Sequence, residues 1–347
     1  MMQISRALLL SGLMFLAGVG VVLGQTSERG GVELVGVNLA GADFGYDVLP
    51  GKFGVQYTYP NADEVDYFMS KGMNVFRLPF LWERLQPNLF ADLDEAELAR
   101  IRAFVDDATG KGARVILDVH NYARYFGDIV GVDGDQGAVP VAALSDFWVK
   151  LATEFSGNSL VILGLMNEPS EMATELWLAD ANTTIAAIRK AGVGNLILVP
   201  GNGWSGAHSW DADYYGTPNS QLMGQIVDPD DNYAIEVHQY LDEDSSGTSE
   251  TCVDESVGSD RLHGFTQWAR AQGVQAFLGE FSGGANARCL AALDDMLNYV
   301  DDHGDVWLGW TYWAAGPWWG EDGFTLEPAN GVDRPQMAVL ARHMSNE

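Results

Sequence analysis

Short apolar runs and longer amphipathic stretches alternate along this chain with a regular beat. The apolar runs are Leu34–Leu39, Asn74–Pro79, Arg114–Val119, Val161–Met166, Leu196–Val199, Tyr233–Val237, Ala276–Leu278 and Val306–Tyr312. Their length and Val/Ile/Leu content predict strands. Between them, Asp63–Lys71, Asp94–Gly110, Ala142–Phe155, Trp177–Ala191, Gly258–Gln272 and Cys289–His303 carry apolar residues at three- and four-residue steps, which predicts helices. Gly72, Gly112, Gly192 and Gly273 each follow such a stretch and mark helix ends.

Strand and helix in alternation mean parallel strands joined by helical crossovers. Eight strands fit an α/β fold of the closed (β/α)8 TIM barrel type, a single domain over residues 25–347. A doubly wound open sheet is the competing architecture. It calls for a Gly-rich phosphate loop after an early strand. Gly201-Asn202-Gly203 is too short for that and has no Lys behind it. The polar segments Asp128–Gln136, Asp242–Glu255 and Pro317–Asn330 read as surface insertions.

The start of the chain follows a different rule. Arg6 precedes an apolar run from Ala7 to Leu23, and Val22-Leu23-Gly24 supplies small or light residues ahead of Gln25. Residues 1–24 are therefore expected to be a secretory signal peptide. The alternative, a membrane anchor, needs ~20 apolar residues and a basic stop that does not follow here. A secreted, extracellular protein with no membrane attachment in its mature form is the expectation. In an exported chain, Cys252 and Cys289 suggest a disulfide, with two free buried thiols as the alternative.

Composition narrows the partners. The 347 residues carry 48 Asp+Glu against 19 Lys+Arg, a net charge of -29. Binding to nucleic acid or to an anionic membrane needs clustered Lys and Arg, so both are poor partners. The 11 Trp in an acidic chain point instead to flat, weakly charged ligands such as sugar rings.

In a barrel the residues at the C-terminal strand ends converge on one face, where chemistry collects. Those ends read Arg77-Leu78-Pro79, Asp118-Val119-His120-Asn121-Tyr122, Met166-Asn167-Glu168-Pro169, Glu236-Val237-His238-Gln239-Tyr240, Gly279-Glu280-Phe281 and Trp310-Thr311-Tyr312-Trp313. Two carboxylates, Glu168 and Glu280, in one cleft suit glycoside hydrolysis: one protonates the leaving oxygen, the other attacks the anomeric carbon or activates water. His120 and His238 lack a metal-ligand spacing, so no metal and no cofactor is expected. Trp204 and Trp210, after the fifth strand, are candidate sugar platforms, with core packing as the alternative.

Taken in order, Asn167-Glu168-Pro169, Gly279-Glu280-Phe281, Arg77-Leu78-Pro79, His120-Asn121-Tyr122 and His238-Gln239-Tyr240 resemble glycoside hydrolase family 5. The likeness is closest to the fungal-type secreted endo-β-1,4-glucanases. Gly36–Gly41, Pro200–Trp204 and Leu241–Thr248 support that subgroup, and the similarity runs from about Val35 to about Arg342. The resemblance implies Glu168 as acid/base and Glu280 as nucleophile. It implies Asn167 on the sugar 2-hydroxyl, Arg77 and Tyr240 beside Glu280, His120 and His238 shaping the cleavage subsite, and Trp313 as the stacking floor. It also implies a disulfide between Cys252 and Cys289 that ties the sixth-strand loop to the seventh. The chain departs from the family pattern in its aromatic run Trp310–Trp313 with Trp318-Trp319 behind it, and no cellulose-binding module or linker is recognisable.

The expected activity is thus retaining endo-hydrolysis of cellulose-like β-glucans by a monomer. The same machinery acting on β-mannan, xyloglucan or mixed-linkage glucan is the alternative within enzymes. A catalytically silent carbohydrate-binding barrel is the alternative outside them, disfavoured because both Glu are present. Loss of residues 1–24 removes one Arg and no acid, taking the charge of -29 to -30. Self-repulsion on that scale is relieved by screening. The melting temperature should rise with NaCl at neutral pH; a flat response would mark an ordinary acidic secreted protein.

Overall fold

A computed structural model describes residues 31–132 and 139–344. The leader expected over residues 1–24, and residues 133–136 of the insertion after the third strand, lie outside the described residues. The strands are β1 (Leu34–Leu39), β2 (Val75–Phe80), β3 (Arg114–Val119), β4 (Val161–Gly164), β5 (Ile197–Pro200), β6 (Tyr233–His238), β7 (Ala276–Glu280) and β8 (Trp307–Ala315). They pair in parallel, each with its neighbours in sequence, and β8 closes the barrel onto β1. The open-sheet alternative is excluded by that closure.

The anticipated helices are α1 (Ala62–Ser70), α2 (Glu95–Gly110), α3 (Val141–Glu154), α4 (Thr174–Lys190), α5 (Val257–Gln272) and α6 (Ala287–Asp302). Their starts follow local chemistry. Asn61 and Glu64 form a reciprocal capping box on α1, the Asp94 carboxylate accepts from the N–H groups of Ala96 and Glu97, and Asn286 accepts from Cys289. The marker glycines behind α1, α2, α4 and α5 all have positive φ, from 70° to 104°. The two-stranded hairpin Arg124–Tyr125/Asp128–Ile129 and the helix Pro335–Leu340 were not anticipated, being too short to show a period. Among the described residues, no helix is long and apolar enough to cross a membrane.

The barrel interior is layered. Leu34, Val75, Ile116, Ile162, Leu198, Ala234 and Phe277, one from each of β1 to β7, form a buried cluster with Leu308 of β8 against it. That cluster is an apolar floor. Side chains two positions on along a strand share its face, and there β2, β3 and β6 carry Arg77, Asp118 and Glu236, all buried. The floor therefore supports a charged layer. Residues of the opposite strand face, such as Phe76, Leu78, Val115, Leu117, Val161 and Leu163, join the larger core beneath the helices.

Cys252, in the loop after β6, is bonded to Cys289 in the first turn of α6, with an S–S distance of 2.04 Å and a Cα–Cα distance of 5.3 Å. The free-thiol alternative does not hold. The bridge closes a loop with a sequence separation of 37 residues. In the chain-entropy account, closing a loop of that length stabilises by roughly 3 to 4 kcal/mol. Paired Cys252→Ser and Cys289→Ser replacement should lower stability by about that amount in denaturant titration, and alkylation of the native protein should find no reactive thiol.

Candidate active site

The barrel mouth is organised by Arg77. Its guanidinium is fully buried and reaches five partners. Nη1 donates to Glu280 Oε1 at 2.9 Å and to Asn38 Oδ1 at 2.9 Å, while Nη2 donates to Asn167 Oδ1 at 2.8 Å. Asp118 Oδ2 lies 3.1 Å from Nη1, and Glu236 Oε1 lies 3.1 Å from Nε. Asn38 on β1 passes the connection on: its amide faces the carbonyls of Gly279, Thr311 and Tyr312, on or beside β7 and β8.

Each histidine is gripped by an acid two residues before it. His120 Nδ1 is 2.7 Å from Asp118 Oδ2, and His120 Nε2 is 3.3 Å from the Asn167 amide. His238 Nε2 is 3.3 Å from Glu236 Oε1, and its Nδ1 lies 2.7 Å from Glu168 Oε1 and 3.5 Å from Glu280 Oε2. Burial opposes a charge on His238, but Glu280, Glu168 and Glu236 outweigh it and push its pKa up to about 10. Glu168, His238 and Glu280 each place one atom within 4.8 Å of the others, which is also a conceivable cation cluster. Both ring nitrogens of His238 already face carboxylate oxygens, Nδ1 that of Glu168 and Nε2 that of Glu236, an arrangement suited to proton chemistry.

The two glutamates sit in opposed environments. Burial alone would raise Glu280, but the charges of His238, Arg77 and His120, with the Tyr240 hydroxyl 2.7 Å from Oε2, hold it below the usual carboxylate range. Burial raises Glu168; His238 opposes that shift and the charge of Glu280 adds to it. Glu168 ends the stretch after β4 with φ +42°, a left-handed conformation that costs a non-glycine residue energy. Tyr240 is pushed well above its ordinary pKa by burial and then by Glu280 and Glu168, so it stays a donor.

Aromatic rings line the cleft beside these groups. Trp313 stacks on His120 with ring centres 5.4 Å apart at 14°. Trp319 meets Trp313 edge-on at 5.9 Å, and Phe44 meets Trp319 at 6.0 Å. Trp204, 43% exposed, donates its backbone N–H to the carbonyl of Pro169, next to Glu168. It stands against Tyr215 at 5.8 Å on the rim. Trp210 is not a platform: it is 2% exposed and packs edge-on against Phe265 and Trp268.

The structure thus brings Arg77, His120, Asn167, Glu168, His238, Tyr240, Glu280 and Trp313 together, with Trp204 at the edge. The reading of the sequence left Asn38, Asp118 and Glu236 without roles. The signal for the acids was present as acid-x-His at two strand ends, Asp118-Val119-His120 and Glu236-Val237-His238. Gly279 has a steric reason: a Cβ there would stand 2.2 Å from Glu236 Oε1.

Comparison with known proteins agrees with this geometry. The model of the family described as Cellulase (glycosyl hydrolase family 5) matches residues 37–316. An endo-β-1,4-glucanase B of Emericella nidulans is 38% identical over 317 residues, 91% of this chain and 92% of that protein. Among solved structures, the endo-β-1,4-glucanase of Xanthomonas axonopodis pv. citri superposes with a TM-score of 0.87 at 47% identity, covering 90% of this chain and 98% of that one. XacCel5A in complex with cellopentaose has a TM-score of 0.87 at 47% identity, covering 90% and 99%. Closed barrel, paired glutamates, family match and near full-length relatives lead to one assignment: the chain belongs to glycosyl hydrolase family 5 and is a glycoside hydrolase.

Proposed function

We propose that the protein is a secreted endo-β-1,4-glucanase, acting as a monomer on internal bonds of cellulose-like β-glucans with retention of configuration. One observation carries the mechanism: carboxylate oxygens of Glu168 and Glu280 lie within 4.8 Å of each other. A retaining pair has its carboxyl groups about 5 to 5.5 Å apart, whereas an inverting pair needs roughly 6.5 to 9.5 Å to admit a water. Export is supported by the leader-like residues 1–24 and by the disulfide. The substrate class is supported by relatives named endo-β-1,4-glucanase and by the cellopentaose complex of XacCel5A.

The roles follow from the opposed environments. Glu280, kept ionised by its cationic neighbours, attacks the anomeric carbon. Glu168, whose protonated form is favoured by burial and by the charge of Glu280, gives its proton to the departing glycosidic oxygen. The covalent glycosyl-enzyme is then opened by water, whose proton Glu168 takes back. Asn167, fixed by Arg77 and facing His120, meets the sugar 2-hydroxyl. Trp313 offers its ring face to the apolar side of the pyranose, and Trp204 does so further along the cleft.

Proton NMR of early cello-oligosaccharide hydrolysis should show the β-anomer first, and an α-anomer appearing first would overturn the nucleophile assignment. Glu280→Gln should lose essentially all turnover. Glu168→Gln should lose roughly 10²- to 10⁴-fold on cello-oligosaccharides, and much less in the glycosylation step of aryl cellobiosides whose leaving group needs no proton. Assays on carboxymethylcellulose, mannan and xyloglucan side by side should favour the first.

The pH dependence has a fixed sign. Activity requires Glu280 ionised and Glu168 protonated. Because Glu280 lies below the ordinary 4.5 and Glu168 above it, kcat/KM should rise with pH through a limb below 4.5 and fall through one above it. Glu168→Gln should abolish the alkaline limb on activated aryl substrates while the acid limb stays.

A further inference from the structure

The loop behind β6 is folded around one buried carboxylate. Asp242, 2% exposed, accepts from the N–H of Gly247 at 3.1 Å on Oδ1. Its Oδ2 accepts from the N–H groups of Thr248 at 3.0 Å and Ser249 at 3.1 Å, and from Ser246 Oγ at 3.2 Å. Four donors from residues 246–249 thus converge on one carboxylate. Arg261 of α5 braces the outside of the turn, donating to the carbonyls of Tyr240 at 2.9 Å, Asp242 at 2.7 Å and Glu243 at 3.0 Å. Val253 N–H to the Leu241 carbonyl at 3.0 Å and the Cys252–Cys289 bridge fix the far end.

The turn delivers one atom group to the site. Gly247, at φ +69°, lies flat against the Tyr240 ring, and a Cβ there would stand 2.7 Å from Cδ1 and from Cε1. The hydroxyl of the same ring donates to Glu280 Oε2 at 2.7 Å. The Asp242 carboxylate makes no hydrogen bond to Glu280 or to the phenol; it reaches the Tyr240 ring through the turn, while Arg261 ties the two backbones.

We propose that Asp242 is a positioning residue for the nucleophile: its carboxylate folds residues 242–249, the fold seats Gly247 on the Tyr240 ring, and the ring holds its hydroxyl on Glu280. The inference rests on the reading of Glu280 as nucleophile and extends it outward. Glu280 is faced by Arg77 from β2, His120 behind β3, Glu168 behind β4, and His238 and Tyr240 at and behind the end of β6. Losing Tyr240's donation while the rest stay makes Glu280 easier to protonate.

The test compares Asp242→Asn, Gly247→Ala, Tyr240→Phe and the double variant Asp242→Asn/Tyr240→Phe on a cello-oligosaccharide, with kcat, KM, the pH profile of kcat/KM and the melting temperature. Asn keeps the shape of Asp but turns an N–H toward the donors. Asp242→Asn and Gly247→Ala should each lower kcat about tenfold with little change in KM, since small misplacements near reacting atoms cost up to ~10²-fold. Both should move the acid limb upward, toward its position in Tyr240→Phe, and the double variant should be no slower than Tyr240→Phe alone.

An Asp242→Asn protein that melts earlier but keeps the wild-type acid limb overturns the proposal, as does a multiplicative loss in the double variant. Where Asp242→Asn fails to fold, Gly247→Ala decides, because it leaves the carboxylate hub intact; an unmoved acid limb there is a refutation. If Tyr240→Phe itself leaves the limb in place, the reading of Tyr240 on Glu280 falls and takes this proposal with it. A failure confined to the two loop variants falls on the proposal alone.

Discussion

Everything at the mouth of this barrel depends on a guanidinium that water cannot reach. Arg77 is fully buried and meets Asp118, Glu236 and Glu280 at 2.9 to 3.1 Å. An unpaired buried charge costs several kcal/mol even after relaxation, so none of these groups is stable there alone. Arg77 and a protonated His238 stand against the three acids, and each sign is held in place by the other. Asn38 and Asn167 accept from Nη1 and Nη2 and tie the lattice to β1 and to the end of β4. The layer above the apolar floor is therefore held by ion pairs and hydrogen bonds rather than by apolar packing.

That lattice explains how one residue type comes to sit in two opposed electrostatic environments. Glu280 is a member of it and is ionised because its neighbours are cationic. Glu168 sits at its border on a left-handed backbone, touched by only one of the cations, His238. His238 bridges the two glutamates at 2.7 and 3.5 Å, so a change in the charge of one is felt by the other through a single imidazole. The aromatic side of the cleft is joined to the same network, since His120 is at once the partner of Asp118 and the surface on which Trp313 stacks.

Much of this was legible in the sequence because a parallel barrel turns order along the chain into position around a ring. The eight apolar runs and the glycines behind the helices carry the fold, and the strand-end residues converge at the candidate site. The failures have physical causes. Trp210 and Trp204 lie six positions apart after the same strand, and nothing local tells that Phe265 and Trp268 arrive from α5 to enclose one and leave the other open. Asp118 and Glu236 fall inside apolar runs, where a carboxylate looks misplaced until Arg77 is seen to lie between them. The hairpin after β3 is two residues per strand, shorter than any period that could reveal it.

Gly279 shows how tightly shape and charge are bound together here. The glycine is uncharged, yet the space a methyl group would need is occupied by Glu236 Oε1. Any side chain introduced there must displace that oxygen, which stands 3.1 Å from Arg77 Nε and 3.3 Å from His238 Nε2. In this barrel a change of pure volume at one position is thus transmitted as a change of electric field at the neighbouring Glu280. Drift at residue 279 is closed off by electrostatics, although the residue itself has none to offer.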